Sequence, residues 1–161
     1  MATIHTLAGG LGLELVETQL RPGEFPDRWI YLAPEAIKWI NDDLPQVLRS
    51  YDAELEPTEQ IEDLFYRFIS GKNLDHWTDL HAIYPHVDGT WELKTNDIRM
   101  FGWFPCRDCV VILHIESMIR CKEFPAFPSY YRGRIVKYRE SLDLDEPKFV
   151  RGAELRDVIS D

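Results

Sequence analysis

The spacing of apolar residues divides the chain into a helical half and an extended half. Ile61, Leu64, Phe65, Phe68 and Ile69 recur at i, i+3, i+4, i+7 and i+8, which places them on one face of a helix. Pro57 opens that helix, Glu59, Glu62 and Asp63 favour the positive end of its dipole, and Gly71 supplies a C-terminal cap. Upstream, Arg28–Leu32 is β-prone, and Pro34 suits the first turn of a helix carrying Ile37, Ile40, Leu44, Val47 and Leu48. Pro45 lies inside that pattern and kinks or restarts it. From Trp91 the period changes to two. Trp91–Thr95, Ile98–Phe104 and Val110–Ile115 predict three strands, joined by two-residue turns at Asn96-Asp97 and Arg107-Asp108. A last helix over about 129–142 carries Tyr131, Ile135, Tyr138 and Leu142 on one face. Residues 1–27 read as a Gly- and Pro-punctuated extension with one strand at Leu13–Leu20, Lys72–Thr90 as a loop, and 143–161 as a polar surface tail.

Composition adds bounds. A chain of 161 residues, 45% hydrophobic and 12% aromatic, suits one domain with its own core. No apolar run approaches the ~20 residues of a membrane span. Leu7–Leu15 is too short for a signal peptide, lacks basic residues ahead of it and contains three glycines. A cytoplasmic protein with reduced thiols is the expectation, since three cysteines are an odd count and a domain of this size needs no staple. The net charge of −10 argues against a broad nucleic-acid-coating surface. That charge is uneven: between Arg99 and Glu140, eight Lys/Arg face four acids, so this stretch carries +4 and the rest −14.

The predicted turns set a register. Thr95 pairs with Ile98, so Lys94 faces Arg99; counting from Cys106 opposite Cys109, Phe101 faces His114 and Arg99 faces Glu116. Alternation gathers Lys94, Arg99, His114 and Glu116 on one face beside Phe101 and Trp103. Such a cluster can bind a phosphate, supply an acid/base imidazole and stack a base. The same residues also suit an ordinary cross-strand charge cluster, a hydrogen-bonded core histidine and core aromatics beneath the last helix. Cys106-Arg107-Asp108-Cys109 has a zinc-like spacing, but one pair without a second is insufficient, and neither metal nor cofactor is expected. His76, His81 and His86 read as loop surface. Phosphate-loop, nucleophile-elbow and zinc-protease motifs are missing from the sequence.

The order strand, two helices, three strands, helix resembles the RelE/HigB-like toxins, in particular their phage-associated, HigB-type branch. The resemblance rests on Asp88-Gly89-Thr90-Trp91-Glu92-Leu93-Lys94, then Asp97-Ile98-Arg99-Met100-Phe101-Gly102-Trp103-Phe104, then Val110-Val111-Ile112-Leu113-His114 followed by Arg120-Cys121-Lys122. It covers roughly 28–142 and implies an α+β fold, with an antiparallel sheet of three to four strands packed with two N-terminal helices and one C-terminal helix. It further implies metal-independent cleavage of mRNA, often at the ribosome, and silencing by a cognate antitoxin. On that reading Arg99 and Lys122 neutralise the scissile phosphate, Lys94 assists and His114 carries the proton. Phe101, Trp103, Arg120, Arg132 and Arg139 would then contact substrate. Three departures stand against it: Met118-Ile119 occupy the place of a Lys-Lys pair, Lys94 replaces an Arg, and the chain is acidic where family members are basic. The competing reading is a catalytically degenerate module of phage or prophage origin that binds a host protein.

Overall fold

The computed structural model describes residues 1–161. Its helices are α1 (Ile4–Leu7), α2 (Pro34–Asp42), α3 (Pro57–Ile69), α4 (Met118–Glu123), α5 (Phe127–Ser141) and α6 (Leu155–Val158). Its strands are β1 (Glu14–Leu15), β2 (Trp29–Leu32), β3 (Leu80–Ala82), β4 (Thr90–Lys94), β5 (Ile98–Cys106) and β6 (Cys109–Ser117). They form one six-stranded sheet in the order β1-β2-β6-β5-β4-β3. The α+β class and the β4-β5-β6 meander follow the sequence pattern. The sheet is larger than the three or four strands expected, and it is mixed, because β2 runs parallel to β6 with Ile30 opposite Val110.

Both faces of this sheet are covered. On one, Ala36 of α2 and Ile61, Leu64 and Phe68 of α3 pack on Trp91, Leu93, Met100 and Ile112. On the other, Ile4 of α1 and Ile135 of α5 pack on Phe101, Trp103, Val111 and Leu113. This double burial is why the central strands are nearly continuous apolar runs. The termini belong to the same packing. Ile4 and Leu144 enter the second core, and Val158 and Ile159 the first, so neither the N-terminal extension nor the tail lies loosely on the surface. The strand expected over Leu13–Leu20 shrinks to Glu14–Leu15. The expected loop 72–90 contains β3, which pairs with β4.

Turn chemistry anchors the β4–β5 hairpin to α3. The Gln60 side chain accepts from the Asp97 backbone N–H (2.9 Å) and from the Thr95 hydroxyl (2.8 Å), and donates to the Asp97 carboxylate (2.7 Å). The β5–β6 ladder slips twice. Cys106 faces Cys109, but Trp103 faces Val111 and Gly102 faces Ile112, before Phe101 again faces His114. One extra residue on β5 near Pro105, which has no N–H for a ladder, is offset by one on β6 at Leu113. The two bulges cancel, so Arg99 faces Glu116 as simple counting requires.

Candidate functional site

The α5 face of the sheet carries a polar seam that runs across strands β3 to β6. His81 of β3 faces Glu92 of β4 in the ladder, Lys94 faces Arg99, and Arg99 faces Glu116. The Glu92 carboxylate lies between an imidazole and a guanidinium, 2.7 Å from His81 Nε2 and 3.7 Å from Arg99 Nε. The other ring nitrogen of His81 lies 2.9 Å from the Ala82 carbonyl. A carbonyl only accepts, so Nδ1 carries the hydrogen of that contact and Nε2 is the nitrogen that meets the carboxylate. A carboxylate in contact with an imidazole can serve as a general acid/base unit.

Around it, Glu116 is buried, accepts from the Tyr131 hydroxyl (3.3 Å) and pairs with Arg120 at 3.4 Å. Burial, reinforced by Glu116, pushes the Tyr131 hydroxyl up to about 12. Burial also pushes Cys121 up to about 12, with Glu92 and Glu116 adding to the effect. Cys121 is therefore a protonated, unreactive thiol at neutral pH. The Arg99 guanidinium additionally donates to the Ile98 carbonyl (3.0 Å) and the Thr95 carbonyl, which holds it at the hairpin end.

At its Lys94–Arg99 end the seam borders a groove of 690 Å³ between α3 and the β4–β5 turn, lined also by Asp63, Arg67, Trp77 and Asp79, among others. Trp77 is 56% exposed, adopts φ +77°, and lies against His81 with ring centroids 4.9 Å apart. A second imidazole, His76, also stacks on the indole at 5.1 Å, and a tryptophan held in the left-handed region marks this edge of the groove as constrained. Asp79 is fixed by the Arg67 guanidinium through two bonds of 2.9 and 3.1 Å.

The residues expected from the sequence are thus divided. Lys94 and Arg99 lie side by side at the groove, and Lys122 is exposed on α4. His114 shares their face but is withdrawn from them behind Tyr131, whose ring stacks on it at 4.9 Å. Its Nδ1 donates to Glu35 (2.9 Å) and its Nε2 accepts from Arg134 (3.3 Å). Burial pushes its pKa down to about 4, so it is a neutral, fully partnered ring rather than a proton carrier. Phe101 and Trp103 are fully buried beneath Tyr131 and Tyr138 and offer no face to a base. Arg139 is also buried, with its guanidinium 3.9 Å above the Phe149 ring. Arg132 is held by Asp88, and Arg120 lies over Phe124 and Phe127 while paired to Glu116.

Three residues of this site escaped the sequence reading: His81, Glu92 as an acid/base group, and Trp77. The available signal was the short alternation Leu80-His81-Ala82, which marks a strand too brief to separate from a loop by pattern alone. Comparison with known proteins finds no matching family model, no matching curated protein and no matching solved structure.

Proposed function

We propose that this chain is a RelE/HigB-like endoribonuclease that cleaves mRNA without a metal ion, using His81, Glu92, Arg99 and Lys94. The observation that carries this reading is the buried Glu92 carboxylate held between the His81 imidazole and the Arg99 guanidinium, with Arg99 itself lining an open groove. Cleavage of RNA by its own 2′-hydroxyl needs a base, an acid and a cation, and these four side chains supply all three. Glu92 takes the 2′-hydroxyl proton as the O2′–P bond forms. His81 gives its proton to the 5′-oxygen as the P–O5′ bond breaks, leaving a 2′,3′-cyclic phosphate and a free 5′-hydroxyl. Arg99 and Lys94 offset the charge that develops on the phosphoryl oxygens. Trp77, 56% exposed between His76 and His81, offers apolar contact to a base beside the scissile bond. The order β2-α2-α3, then the β4-β5-β6 meander and α5, with β3 and α4 inserted, also supports the family reading.

The test is RNA cleavage by purified protein, with and without ribosomes. Glu92→Gln and His81→Gln are expected to lower the rate by about 10²–10⁴ each, with unchanged far-ultraviolet circular dichroism. Arg99→Ala should rescue growth of a host in which the wild type arrests translation. The second reading, a degenerate module that binds a host protein, draws on the pairing of most cations near the seam with acids. Intact RNA in the presence of ribosomes, together with normal host growth, favours that module.

A further inference from the structure

We infer that His5, Cys106 and Cys109 form a site for a thiophilic divalent cation of the zinc class, which ties the start of the chain to the tip of the β5–β6 hairpin. The three donor atoms lie within 4.8 Å of one another. In a tetrahedral zinc site, metal–sulfur bonds of about 2.3 Å and metal–nitrogen bonds of about 2.0 Å place the donors roughly 3.5–3.8 Å apart. Cys106 and His5 are exposed and free to turn inward by that small amount, while Cys109 is fixed in the core.

The convergence comes from three separate parts of the fold. The two thiols flank the Arg107-Asp108 turn and face each other across the ladder. Asp108 takes φ +63° there, which suits the tight turn that brings both sulfurs to one side. His5 is delivered by α1, whose Thr3–Thr6 capping box and buried Ile4 fix its start, and whose neighbour Ala2 is bonded to Asp145.

The imidazole is also oriented as a ligand would be. Its Nδ1 lies 2.8 Å from the Tyr31 hydroxyl, which leaves Nε2 for the metal. Metal-bound histidines are held by such a bond to their second nitrogen. The Trp29 ring, edge-on at 5.4 Å, closes one side. Binding releases the thiol protons to solvent, and two thiolates with a neutral imidazole balance the 2+ charge. Three protein donors leave the fourth position to water, so the site is exchangeable. The dicysteine spacing alone could not disclose this, because the third donor is a hundred residues away. This site lies at the turn opposite the β4–β5 end and is independent of the nuclease reading.

The test is titration of the reduced full-length protein with Co²⁺. A 1:1 complex is expected, with tetrahedral d–d bands and thiolate-to-cobalt charge transfer, both erased by Zn²⁺ added in equal amount. Zn²⁺ should also raise the melting temperature. Cys106→Ser, an exposed position, should abolish the charge transfer, and His5→Ala should weaken binding at least tenfold, both with unchanged circular dichroism. Cys121→Ser should bind as wild type does. Absence of a 1:1 complex overturns the inference, as does wild-type affinity in His5→Ala or loss of the signal only in Cys121→Ser.

Discussion

Gly102 sits where the β5–β6 ladder slips, and replacing it with alanine tests whether that slip is a packed necessity. A Cβ at this position would lie inside the van der Waals envelope of the Val111 carbonyl oxygen, 2.8 Å from the Val111 carbonyl carbon and 3.0 Å from Ile112 Cα. All three are backbone atoms of the neighbouring strand, so no side chain can rotate away. Relief requires the strands to part. Two ladder hydrogen bonds at about 1 kcal/mol each are then weakened, and overpacking in a close-packed interior adds about 1–3 kcal/mol. The sum is about 3–5 kcal/mol, a large share of the ~5–15 kcal/mol of a typical domain. Urea unfolding followed by tryptophan fluorescence should show a midpoint lowered by roughly 1.5–2.5 M, for a slope of about 2 kcal/mol/M. Gly133→Ala is the matched control. Nothing lies within 4 Å of a Cβ there, and the residue is exposed in α5. That variant should gain about 0.5–1 kcal/mol. A Gly102→Ala protein within 0.5 kcal/mol of wild type would refute the argument that close strand approach sets the register between Arg99 and Glu116.

Asp97→Ala should cost about 3 kcal/mol, since its buried carboxylate accepts from Gln60 (2.7 Å) and from the Ser50 backbone (3.1 Å); unaltered thermal melting would remove that knot from the account of the hairpin. His114 makes stability depend on pH: the unfolded ring binds a proton below about 6.5 and the folded ring only below about 4, so stability falls as pH drops through that window. The loss is about 1–2 kcal/mol after allowing for solvent screening, and urea midpoints of wild type minus His114→Gln should rise between pH 4 and 6.5; parallel profiles would contradict it. On the proposed nuclease reading, Trp77→Ala should weaken single-stranded RNA binding about tenfold, as one base loses an aromatic contact; binding at wild-type strength would separate Trp77 from that reading.

Local pattern carried much of this molecule. Helix α3 and the pairing of Lys94 with Arg99 were legible because a 3.6-residue period and a two-residue turn are both short-range constraints. The facing of Arg99 and Glu116 came out correctly although the ladder between it and the turn slips twice, because the two bulges are opposite in sign. Alternation also grouped Phe101 and Trp103 with Arg99, and the face they share is real. What alternation cannot say is whether a face is covered and how far the cover extends. Only the docking of α5 decides that Phe101, Trp103 and Arg139 are core while Arg99 reaches solvent, and that His114 is shut behind Tyr131. The parallel pairing of β2 with β6, the burial of both termini, and the meeting of His5 with Cys106 and Cys109 join residues far apart in the chain. No periodicity records such contacts, since they depend on how assembled elements bury their apolar faces against one another.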